Sequence, residues 1–146
     1  MFFFRRFLPL EIFETCCAMP QKLKFRRLLR TYAIVRMAPD ALVPDWATKG
    51  AFTSISRSVD ELSFVCPTED LPKDIVPGLR WICYKLEGPF AFSLTGVLLS
   101  FIEPLSNSGI PIFAISTYDT DYVLVQEEFA GMTQQALNQA GHELIG

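Results

Sequence analysis

Two amphipathic stretches, each closed by a glycine and each set between apolar strand-like runs, constrain this chain more than any other feature. From residue 94 to 108 the side chains of Val97, Leu98, Phe101, Ile102 and Leu105 recur at helical spacing and form one apolar face, and Gly109 follows at a left-handed cap position. From Phe129 onward Met132, Thr133, Ala136, Leu137 and Ala140 repeat the pattern, closed by Gly141. Strand-like runs surround them: RWICYKL at 80–86, IPIFAIS at 110–116, YVLV at 122–125 and a short run at 143–145. The order is β-α-β-β-α-β. It predicts an α+β fold in which an antiparallel sheet carries both helices on one face, a ferredoxin-like layer.

The preceding residues read as a reduced version of the same beginning. TYAIVR at 31–36 is a strand ended by Pro39. FTSISR at 52–57 and LSFVC at 62–66 form a hairpin turned at Asp60 and Glu61. Residues 67–78 hold three prolines and separate the halves. The expected organisation is a basic, disordered extension over 1–29, a first small unit over 30–78 and a second over 79–146. Within the extension, residues 22–30 read as a short basic helix.

Charge narrows the partners. Residues 1–30 hold seven basic and two acidic side chains, a net of +5, which leaves −8 for residues 31–146. An acidic body repels phosphate, so nucleic acid is not expected as a partner; the basic arm is either a solvated tail or a contact for an anionic surface. No apolar run reaches the length of a membrane span, so no membrane partner is expected. The opening MFFFRRFLPL is interrupted by Arg5 and Arg6 and does not read as a secretory signal. Four cysteines without a CxxC spacing point to a reducing, cytoplasmic setting. With a single histidine, His142, there is no metal-ligand cluster and no cofactor is expected. The motifs of serine hydrolases, zinc proteases and P-loop enzymes are absent from the sequence, and the chain is not expected to be an enzyme.

Two segments carry binding chemistry instead. FSLTGVL at 92–98 runs from a strand end into a helix start, where unpaired backbone N–H groups and the positive dipole end hold a carboxylate. Ser93, Thr95, Gly96 and Val97 are the candidates there; Gly96 lets a ligand approach the backbone. Ser93 and Thr95 serve equally well as plain caps. ISTYDTDY at 115–122 crowds hydroxyls and carboxylates into a hairpin: Ser116, Thr117, Asp119, Thr120 and Asp121. Its carboxylates accept hydrogen bonds from an ammonium or guanidinium group, although Asp and Thr are also ordinary turn residues. If both segments lie at one end of the sheet, they face one ligand zone. An α-amino acid carries the two complementary charges.

At these residues the sequence resembles the ACT-domain superfamily, in particular small tandem-ACT proteins related to aspartate-kinase regulatory regions and to CASTOR-type amino-acid sensors. The runs TYAIVR, FTSIS, GPFAFSLTG (88–96) and ISTYDTDY carry the likeness, together with AGH at 140–142. Pro111 departs from the commoner small polar residue. The resemblance implies two ACT units side by side, a free amino acid bound at an ACT–ACT interface, and no catalysis. Asp121 and Asp119 would meet a cationic group, and Thr95, Gly96 and Val97 the ligand backbone. The alternative is a ligand-free ACT-like module that only dimerises or docks on an unidentified protein. Strands apolar on both alternations further predict a homodimer, because helices on one face leave the other needing cover.

Overall fold

The computed structural model describes residues 21–146. A strand of fourteen residues, Lys24–Met37 (β1), runs through the middle of a seven-stranded sheet. Around it lie β2 (Ser54–Arg57), β3 (Leu62–Pro67), β4 (Trp81–Leu86), β5 (Ile112–Ser116), β6 (Asp121–Gln126) and β7 (Glu143–Leu144), with helices α1 (Val97–Asn107) and α2 (Ala130–Gln139). The sheet order is β2-β3-β1-β4-β6-β5, and β7 adds in parallel to the start of β1. The expected β-α-β-β-α-β succession is present from β4 to β7, in a mixed α+β fold.

β1 corrects the reading of the amino-terminal part. Residues 22–30 are not a helix, and the fold begins inside the segment assigned to the extension; residues 1–20 lie outside the described residues. The physical reason is a period of two. Leu23 and Phe25 are buried while Lys24 and Arg26 point to solvent, and the backbone is paired on both sides, with Leu86 of β4 and Leu144 of β7. The basic side chains of this stretch meet the acidic body. Arg26 pairs with Glu87, Arg30 lies 3.4 Å from Glu69 and 3.7 Å from Asp70, and Lys24 lies 3.9 Å from Glu143.

Between Arg27 and Thr31 the register of β1 against β4 shifts, because four steps along β1 match two along β4. This bulge leaves Leu29 fully exposed. Beyond it, residues Tyr32 to Met37 pair with β3. β1 therefore serves both halves of the chain, and its first residues stand between β4 and β7. The short run at 143–145 is thus a neighbour of β1, not of β4.

One sheet face carries both helices. Val97, Phe101 and Leu105 of α1 and Ala136 and Leu137 of α2 pack on Phe25, Ile82, Tyr84, Leu86, Val123 and Val125. The Phe25 ring meets Tyr84 and Phe101 edge-on, at 5.8 and 5.2 Å. The other face is covered in part from within the chain. Tyr32, Phe52, Val65, Cys83 and Leu124 form its buried centre. The sheet curls far enough for Phe52, beside β2, to stack on Tyr122 of β6 with centroids 4.0 Å apart. Around that centre Ile34, Trp81, Phe113, Ile115 and Tyr122 remain only partly buried.

The α1 start also differs from the expectation. The helix begins at Val97, not near residue 94, and its cap is Gly96 in the left-handed region (φ +79°), with no side-chain cap bond. Ser93 is not the cap. Gly109 (φ +70°) closes α1 and Gly141 (φ +85°) follows α2, as their positions suggested. Pro104 lies inside α1.

Candidate functional site

The segment leaving β4 is laced to the β5–β6 hairpin. Phe90 N–H donates to the Asp119 carbonyl at 2.9 Å, and the buried Thr120 hydroxyl donates to the Leu86 carbonyl at 2.7 Å. The approach is so close that a Cβ on Gly88 would stand 2.7 Å from the Asp119 oxygen, which requires glycine there. The hairpin closes on itself through Thr117, whose N–H and hydroxyl both donate to the Thr120 carbonyl, at 2.8 and 2.9 Å. Below the turn, the Ser116 hydroxyl donates to Asp121 Oδ1 at 2.5 Å.

These contacts leave a cavity of ≈ 290 Å³ between the hairpin and the start of α1. Of the residues singled out in the sequence, Gly96, Val97, Ser116, Thr117, Asp119, Thr120 and Asp121 line it; Ser93 and Thr95 do not. The hydroxyls of Thr117 and Thr120 are committed to the turn and to Leu86, so these two hold the wall in shape. Asp119 and Asp121 supply negative charge. Facing them is the helix start: the first intrahelical bond runs from Ser100 N–H to the Gly96 carbonyl. The amides of Val97, Leu98 and Leu99 therefore have no helical partner, and no side chain caps them. No Lys, Arg or His lines the cavity.

Sequence reasoning missed the apolar part of the lining: Phe90, Phe92, Leu94, Leu98 and Tyr118. Phe92 and Tyr118 meet edge-to-face at 4.9 Å, yet are 76% and 79% exposed. The alternation of Phe90 and Phe92 after Gly88 was the available signal, since two aromatics in a segment that is neither strand nor helix must line something or lie in solvent.

Cys66 and Cys83 are buried free thiols; burial pushes Cys66 up to about 11 and Cys83 further still, so neither is a ready nucleophile. Among the described residues no group of three potential ligands could hold a metal ion, and no helix is long and apolar enough to cross a membrane.

A family model described as an ACT domain matches residues 78–139, the part that holds the cavity. The crystal structure of protein Atu0741 from Agobacterium tumefaciens is 43% identical, over 86% of this chain and 93% of that one, with a TM-score of 0.78. This chain is an ACT-domain protein. ACT domains are in general regulatory and ligand-binding. A second family model, describing an N-terminal domain, matches residues 30–74, so this ACT-domain protein carries its matched ACT region behind a distinct amino-terminal part. A protein of unknown function from Vibrio cholerae, VC0802, shares the fold at a TM-score of 0.66 and 18% identity, over 84% of this chain and 93% of that one. The comparison with curated proteins gives no match.

Proposed function

We propose that this ACT-domain protein is a regulatory module that binds a free amino acid in the cavity between α1 and the β5–β6 hairpin. The observation that carries the reading is the opposition of an uncapped helix start to two carboxylates across ≈ 290 Å³. An α-carboxylate fits the free amides of Val97, Leu98 and Leu99, where the helix dipole adds to the hydrogen bonds. The α-ammonium fits Asp121, with Asp119 beside it. Phe90, Leu94 and Leu98 then receive the side chain. Phe92 and Tyr118 stand at the cavity as exposed aromatics, and a second copy covering them would place the ligand at an interface between ACT domains.

A thermal-shift screen of the twenty amino acids tests this, because a ligand that binds only the folded state raises its stability by mass action. The expected result is a rise in Tm for one amino acid or a small chemical group of them at millimolar concentration. Light scattering in parallel reads whether the same ligand produces a dimer. A flat screen at millimolar concentration removes the reading.

A further inference from the structure

The last cross-strand pair of the β5–β6 hairpin stands where the proposed ligand zone opens. Ser116 and Asp121 are direct partners in the register. Thr117 N–H bonds the Thr120 carbonyl, so by the alternation of an antiparallel ladder the 116–121 pair is one without backbone hydrogen bonds between its residues, where side chains stand closest. Ile112, Val123 and Val125 lie an even number of residues away along the same strands and pack on the face that carries the helices. The Ser116 and Asp121 side chains therefore leave the sheet on that face, and both residues line the cavity at the start of α1.

The hairpin wall spends its hydroxyls unevenly. Thr117 donates to the Thr120 carbonyl and Thr120 to the Leu86 carbonyl, so both serve the backbone. Ser116 alone of the three donates to a side chain whose residue also borders the cavity, Asp121, through Oδ1 at 2.5 Å. That distance is typical of a hydroxyl bound to a carboxylate. A carboxylate on a strand has more than one staggered χ1 position open to it. The bond from Ser116 selects one of them and occupies Oδ1, which leaves Oδ2 as the oxygen for a cation. Asp119 lies in the turn, exposed and outside the ladder, with no cross-strand residue to hold it in the same way.

We infer that Ser116 is a positioning residue of the amino-acid site: its hydroxyl holds the Asp121 carboxylate in the orientation that receives the α-ammonium, and it makes no contact with the ligand itself. The inference rests on the amino-acid reading of the cavity. It changes the part that the sequence assigned to Ser116, from a ligand contact to a support acting through Asp121. Without the hydroxyl, the ligand must immobilise Asp121 as it binds, and that ordering is a cost of association; a carboxylate fixed beforehand avoids it. Threonine at this position keeps the hydroxyl and suits a strand. Alanine removes the hydroxyl and little else.

The test has two arms, both on the full chain. In the first, three-bond couplings from the Asp121 carboxyl carbon to its own backbone nitrogen and carbonyl carbon read χ1 in the ligand-free, isotope-labelled protein. The parent and Ser116→Thr should show one χ1 state and Ser116→Ala an average. In the second, NMR titration follows the amino acid that raises Tm most in the screen of twenty. Ser116→Ala should bind it about two- to tenfold more weakly, the span expected for freezing one side chain on binding. Ser116→Thr should bind it like the parent. In an Asp121→Ala background, adding Ser116→Ala should cost no further affinity, because the residue it supports is gone. The inference is overturned if Asp121 is averaged in the parent, if Ser116→Ala leaves its χ1 fixed, or if Ser116→Ala binds as tightly as the parent. It is overturned too if the serine keeps its effect without Asp121, which would mark a direct contact. A flat screen removes the amino-acid reading and this role with it, whereas unchanged binding in Ser116→Ala removes this role alone.

Discussion

His142 supplies the hydrogen bond that Pro104 withholds. In a regular helix the Ser100 carbonyl would accept from the N–H of residue 104, and proline has none. The Nε2 of His142 lies 3.0 Å from that carbonyl and donates to it, while Nδ1 accepts from Leu23 N–H at 3.2 Å. Both ring nitrogens are committed, which fixes the neutral Nε2–H form. One buried side chain joins the start of β1, the middle of α1 and the turn after α2.

Acid should therefore loosen this junction. Burial holds the His142 pKa below its ordinary 6.5, against a smaller opposing effect of the Ser100 carbonyl. The unfolded chain binds the proton first, so the stabilisation is complete above about pH 6.5 and is lost as pH falls from there through the lower folded value. Urea unfolding between pH 7.5 and 5 should show falling stability, and His142→Gln should flatten that slope. A slope unchanged in His142→Gln would place the acid sensitivity elsewhere.

Removing the imidazole outright orphans two backbone groups. His142→Ala should cost about 3 kcal/mol at pH 7.5. In a Pro104→Ala background the helix regains its own donor to Ser100, and the same histidine substitution should cost about 1 kcal/mol less. A double-mutant cycle by chemical denaturation reads this coupling directly, and a coupling of zero would separate the two residues.

For ligand binding, Asp121→Asn keeps the size and removes the charge. It should weaken the amino acid that scores in the thermal screen by at least tenfold, about 1.4 kcal/mol. The ligand-free Tm should barely move, as is usual for a half-exposed side chain without a buried partner. Calorimetric titration of both proteins is the check. Unchanged affinity would clear Asp121 of contact with the ammonium.

The curl of the sheet depends on Phe52. Phe52→Ala removes a ring stacked on Tyr122 and edge-on to Tyr32, and should cost about 3 kcal/mol. Its near-ultraviolet circular dichroism should lose tyrosine signal even where the chain stays folded. Retention of both signal and stability would show that the strands curl without it.

Local patterns made the second half readable. The helical spacing of Val97, Phe101 and Leu105, the glycines at 109 and 141, and the apolar runs at 110–116 and 122–125 each report an element within a few residues. The cavity followed from two such segments meeting at one sheet end. What escaped depends on other parts of the chain. Residues 22–30 read as a short basic helix, with Leu23, Arg26 and Arg27 on adjoining faces, until Leu86 and Leu144 are seen pairing with Phe25 on either side. Ser93 looks like a cap, but the turn in which Leu94 N–H bonds the Ala91 carbonyl delays the helix to Val97. The stacking of Phe52 on Tyr122 joins residues seventy positions apart, and no periodicity encodes that.

The course of β1 makes the ACT region impossible to lift out as a cassette. In a plain β-α-β-β-α-β layer the last strand completes the sheet against the first; here the first residues of β1 stand between β4 and β7. A graft of residues 79–146 alone would carry a slot one strand wide, bordered by Leu86 on one side and Leu144 on the other, with the apolar place of Phe25 empty beneath Phe101. Either β7 migrates to close it or some foreign strand fills it. The amino-terminal part is, in that sense, the keystone of the domain that follows it.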